Sequence, residues 1–69
     1  MAMWMLTAIL CLDLGHDIEY RRYSRPPVKD SARCGELRLP LREYLEWEAE
    51  QLGARIVKLE IECWRRRDG

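Results

Sequence analysis

Apolar positions along this chain fall into stretches with different periods. Residues 3–13 are apolar on both alternating sets. Trp4, Leu6, Ala8, Leu10 and Leu12 make one, and Met3, Met5, Thr7, Ile9 and Cys11 the other. A run of this kind, closed by Asp13 and Gly15, predicts a central strand covered on both sides. A buried helix is its competitor, since Met, Leu and Ala also favour helix. Residues 55–64 alternate with period two and predict a second kind of strand. Val57, Leu59, Ile61 and Cys63 share one face, and Ile56, Lys58, Glu60, Glu62 and Trp64 share the other. Between these runs, Leu41, Tyr44, Leu45, Ala49 and Leu52 recur at helical spacing. They predict a helix over 40–52, with Pro40 in its first turn and Gly53 behind its end.

The remaining segments connect these elements. Residues 13–17, Asp-Leu-Gly-His-Asp, form a turn cluster in which His16 is an exposed turn residue. Residues 18–23 are polar and aromatic, as suits an edge strand returning beside the first. Residues 24–38 carry Pro26-Pro27 and no clear period, so they predict a long loop. Residues 65–69 read as a basic tail. One α+β domain over residues 1–69 follows, in β-β-α-β order. The right-handed crossover rule gives a mostly antiparallel three-stranded sheet of order 2-1-3, with one helix on one face.

Composition changes this picture in a few places. At 69 residues and 8.3 kDa the chain is too short for a dinucleotide-binding sheet, a barrel enzyme or a kinase. A domain this small buries only ~60% of its unfolded surface and commonly needs a disulfide, a metal or a partner copy. The cysteines, Cys11, Cys34 and Cys63, are odd in number and widely spaced. They are expected as reduced thiols in a cytoplasmic protein. His16 is the only histidine, which leaves no metal-ligand spacing and no expected metal or cofactor. The N-terminal apolar run has no basic residue before it, no cleavage-site pattern, and too few residues to span a bilayer, so no membrane role is expected.

One helix leaves the second face of the central strand bare. Met3, Met5, Ile9, Ile56 and Trp64 are the candidate apolar partner surface there, with Trp47 on the helix flank as a further anchor. Either a second copy of the chain or another protein would cover it. Lys and Arg total 12 and balance 12 Asp and Glu, but the charges are segregated. Arg21, Arg22 and Arg25 form one candidate basic patch, and Arg65, Arg66 and Arg67 another, while Glu43, Glu46 and Glu50 lie on the solvent side of the helix. Glu48 falls inside the apolar stripe, where a carboxylate needs a partner, most simply an arginine at the rim. No catalytic constellation accompanies it, and an enzyme is not expected. The reading is a small protein-binding protein, an inhibitor or adaptor, expected as a homodimer. Phage-encoded inhibitors of host defence, anti-CRISPR proteins among them, are built at this scale, although no family motif is present. The alternative is a nucleic-acid binder using Tyr20, Arg21, Arg22, Tyr23 and Arg25.

Overall fold

A computed structural model describes residues 2–67. Strand β1 spans Ala2–Asp13 and β2 spans Ile18–Ser24. Two helices follow, α1 over Ser31–Glu36 and α2 over Arg38–Gln51. Strand β3 runs Arg55–Arg67. The sheet order is β2-β1-β3, and β1 is antiparallel to both neighbours. The three-stranded sheet of an α+β domain is thus observed in the expected order, with the principal helix on one face.

Local chemistry explains the joints. In the β1–β2 turn, Gly15 takes φ +91°, a conformation that side chains rarely adopt, and its N–H donates to Asp13 Oδ1 at 2.8 Å. Helix α2 ends in a Schellman arrangement. Gly53 adopts φ +65°, its N–H donates to the Glu50 carbonyl, and the Ala54 N–H donates to the Ala49 carbonyl. Pro40 sits in the first turn of α2, where helical N–H groups lack partners.

The core lies between α2 and one face of β1. Leu6, Ala8, Leu10 and Leu12 meet Leu41, Leu45 and Ala49, with Cys34 of α1 closing one end. The apolar stripe of α2 is narrower than expected, because Tyr44 and Leu52 stand largely exposed.

Further expectations need correction. The predicted loop 24–38 contains α1, capped by Asp30, whose Oδ1 accepts the Ala32 N–H at 2.9 Å. Before α1, Val28 exchanges backbone hydrogen bonds with Trp4 and so continues the sheet beyond β2. Residues 65–67 are strand, not tail, pairing with Trp4, Met3 and Ala2. Met1, Asp68, Gly69 and the side chains of Ala2 and Arg67 lie outside the described residues. A bulge shifts β3 by one residue, since Cys11 pairs with Lys58 but Leu12 with Ile56. Ile56 therefore packs on the core and Val57 is turned outward, the reverse of the expected faces.

The thiol expectation also fails. Cys34 and Cys63 form a disulfide, Cα–Cα 6.1 Å, that ties α1 to β3, while Cys11 is free and buried. The premise for a cytoplasmic location, reduced cysteines, goes with it. The radius of gyration, 13.7 Å, exceeds the ~11 Å of a compact chain of this length. The cause is β3, 13 residues long, which spans ~43 Å against ~21 Å for the 14-residue α2.

Candidate interaction surfaces

Alternate residues of β1 face opposite ways, so the side away from α2 carries Met3, Met5, Thr7, Ile9 and Cys11. Met3, Met5, Thr7 and Ile9 are partly exposed, whereas Cys11 is buried. The flanks follow from the strand registers. On β2, Ser24, Arg22, Tyr20 and Ile18 stand beside Thr7, Ile9, Cys11 and Asp13. On β3, Arg66, Trp64, Glu62, Glu60 and Lys58 stand beside Met3, Met5, Thr7, Ile9 and Cys11. Trp64 is 43% exposed, and its indole Nε1–H donates to Thr7 Oγ1 at 3.2 Å, which lays the ring across the face. A shallow groove of about 290 Å³ runs beside it, lined in part by Ile9, Arg22 and Ser24. Lys58 Nζ and Glu60 Oε1 pair at 3.3 Å, and Arg22 is exposed. No other element of the described chain lies over this face.

A second surface lies on the helix side. Tyr44 and Trp47, one turn apart on α2, stack with centroids 6.3 Å apart, and Trp47 is 55% exposed. The Arg25 guanidinium sits 5.8 Å from the Tyr44 ring centre, within cation–π range. Arg25 also borders an apolar groove of about 400 Å³, formed by Pro26, Pro27, Val28, Leu37, Pro40 and Leu41 and flanked by Arg33. The groove and the aromatic stack are therefore one continuous surface.

The candidate residues separate accordingly. Met3, Met5, Ile9 and Trp64 come together on the open sheet face, as expected. Ile56 does not join them, and Trp47 lies on α2, stacked with Tyr44. The patch of Arg21, Arg22 and Arg25 is divided. Arg22 is on the open face, Arg25 is on the helix side, and Arg21 is held within the fold. Arg21 Nη1 pairs with Glu48 Oε1 at 2.5 Å and its Nε with Glu19 Oε1 at 2.9 Å. Glu48 thus has the arginine partner its position called for. Tyr23 donates to the same Glu48 oxygen at 3.0 Å, while Glu48 Oε2 is buried without a hydrogen-bond partner.

Hydrogen bonding to Glu19 first, then to Tyr23, pushes the Arg21 guanidinium above its ordinary value. Burial first, then its bond to Glu48, raises the Tyr23 phenol, against the lowering effect of Arg21. The Tyr20–Arg25 run is likewise split, with Tyr20 and Arg22 on the open face and Arg21 and Tyr23 turned to α2. Arg65 and Arg66 extend β3, across β1 from β2, so the two basic groups occupy opposite edges of the sheet.

Sequence reasoning missed the groove because α1 is too short to show a period. The Asp30-Ser31 cap was its one available signal. Among the described residues no cluster of His, Cys, Asp and Glu is arranged to hold a metal, and no helix is long and apolar enough to cross a membrane. No protein-family model matches the chain, and comparisons with curated proteins and with solved structures return no match.

Proposed function

We propose that the chain is a protein-binding protein without catalytic activity, an inhibitor or adaptor of a larger protein, that also associates with a second copy of itself. The observation that carries the reading is the surface joining the Pro26–Leu37–Pro40 groove to the exposed Tyr44–Trp47 stack through Arg25. Tryptophan, tyrosine and arginine are the residue types enriched at binding hot spots, and here arginine borders an apolar groove while the tyrosine–tryptophan pair stands beside that arginine. Arg25 and Arg33 at its rim favour a partner segment with carboxylates beside that side chain. The open sheet face serves self-association. Action against host defence on behalf of a phage is the sharpest form of the proposal, and rests on size alone.

The test is capture from a lysate of the source cells, followed by identification of the captured protein and titration with it. Trp47→Ala and Arg25→Ala are expected to abolish capture with unchanged circular dichroism, while Ile9→Thr on the sheet face retains it. Equal capture by all variants overturns the assignment of this surface. A second reading, nucleic-acid binding, is favoured only by Tyr20 and Arg22 standing exposed on the same face. Micromolar oligonucleotide binding that falls with salt and is lost in Arg22→Ala supports it instead. Cytoplasmic action remains part of the proposal and is tested through the thiols. Trapping by alkylation at lysis yields three free thiols per chain in a reduced cytoplasmic form, and one in the bridged form.

A further inference from the structure

The self-association just proposed is given a geometry by the strand registers. Because both registers share β1, the open face is ruled into rows. Ser24, Thr7 and Glu62 form one, Arg22, Ile9 and Glu60 the next, and Tyr20, Cys11 and Lys58 the third. The middle of each row is apolar or nearly so. The β2 flank carries the basic Arg22, and the β3 flank carries Glu62, Glu60 and Lys58, with Glu60 Oε1 3.3 Å from Lys58 Nζ.

Two copies stacked face to face about a two-fold axis along β1 keep every row over itself and exchange the flanks. Each β2 then lies over the β3 of the other copy. Arg22 meets the partner's Glu60, Tyr20 meets the ammonium of the partner's Lys58, and Ile9 meets Ile9. A two-fold axis across the strands instead sets β2 over β2 and β3 over β3; placed on the Ile9 row it brings Arg22 over Arg22 and Glu60 over Glu60, and leaves only Lys58 over the partner's Glu62 with opposite charge. Sheets stack ~10 Å apart with strands within ~30° of each other, a gap that arginine and glutamate side chains bridge.

We infer that the open sheet face docks a second copy of this chain about a two-fold axis along β1, with Arg22 of each copy paired to Glu60 of the other. An apolar centre with a charged rim is the ordinary anatomy of such an interface, and an isologous contact requires this kind of self-complementarity. The charge pattern selects the occupant, because a sheet face with its base and acid in the same row fits its own image.

The inference rests on the self-association part of the proposed function, and a charge swap tests the two separately. Sedimentation equilibrium of the bridged parent chain is expected to show a dimer at micromolar concentration. In a homodimer, Arg22→Glu sets carboxylate against carboxylate at both contacts, and Glu60→Arg sets guanidinium against guanidinium at both. Each variant alone is expected to dissociate about tenfold more readily or worse. Mixed together, the two single variants set opposite charges at both contacts of a mixed dimer and are expected to associate with each other, although neither does so alone. Arg22→Glu combined with Glu60→Arg in one chain restores opposite charges at both contacts, and that chain is expected to regain the parent's dimer while each single variant remains monomeric. The restoration also excludes misfolding as the cause of the losses.

If the single variants dimerise as the parent does, the axis and register are wrong although self-association stands. Dimers lost in both single variants but not regained in the double variant also overturn the pairing. A parent that stays monomeric throughout overturns the second copy as occupant and assigns the face to a different protein. Capture through Trp47 is read in its own experiment and is unaffected by any of these results.

Discussion

The two sides of β1 are built from the same twelve-residue strand and are buried to different extents. On the α2 side, Leu6, Ala8, Leu10 and Leu12 are closed off from solvent by Leu41, Leu45 and Ala49. On the other side, Met3, Met5, Thr7 and Ile9 are only partly covered, and that cover comes from flanking side chains rather than from an element laid on top. Sequence alone makes the sides look equivalent, since both are apolar. The difference is that one principal helix serves one sheet. The covered side forms the core, and the uncovered side is the one proposed above for association.

The largest expected effect breaks the covered side. Leu45, wholly buried at the centre of the core, is expected to cost ~2–5 kcal/mol when changed to Ala, enough to unfold much of a domain this small. Trp47→Ala, two residues along the same helix but exposed, is expected to change stability by no more than ~0.5 kcal/mol. Urea denaturation of both variants gives the ranking. A reversed order would show that α2 is rotated about its axis relative to the sheet.

The disulfide comes next. It joins residues 29 apart and ties β3, opposite Leu6, to α1 at the edge of the core. Chain entropy puts its worth at roughly 3–4 kcal/mol. Reduction, or replacement of Cys34 and Cys63 together by Ala, is expected to lower the denaturation midpoint by a corresponding amount. An unchanged midpoint would mean that the bridge does not constrain the unfolded chain.

Legibility differed between elements for physical reasons. The sheet order followed from the hydrophobicity of β1 and the crossover rule, both of which use long runs. The partner of Glu48 was legible as an arginine because a carboxylate inside an apolar stripe demands one, although only the fold selects Arg21. The β3 faces were misphased because a bulge changes the period at one point. Ile56 and Val57 are similar β-branched residues that give no sign of which turns inward. The Cys34–Cys63 pair was hidden because its members are 29 residues apart and the sheet, not the spacing, brings them together. The Arg21, Arg22 and Arg25 patch failed on the alternation of a strand, which sends adjacent arginines to opposite faces.

A smaller effect sharpens the contrast at the edge of the core. Tyr23→Phe removes the donor to Glu48, and is expected to cost about 0.5–1.5 kcal/mol at neutral pH. The phenol's value in the folded chain lies above its ordinary 10.0, so the folded state holds that proton more tightly than the unfolded state does. Its contribution is therefore full below pH 10 and is lost as pH rises through the folded-state value. The parent is expected to lose stability in that alkaline range more steeply than Tyr23→Phe. Parallel curves would show that Tyr23 titrates alike in both states.

The most direct test of the division between the two sides is the mass of the chain in solution when one residue of the open side is changed. Sedimentation equilibrium of the parent is expected to give twice the 8.3 kDa chain mass at micromolar concentration. Ile9→Thr keeps a β-branched residue in the strand and removes the apolar centre of the face. It is expected to give the single-chain mass, with the circular dichroism and urea midpoint of its monomer intact. Loss of the fold in Ile9→Thr would contradict the division by showing that the open side is core, and a parent that sediments at 8.3 kDa over the whole range would show that the face does not join two copies.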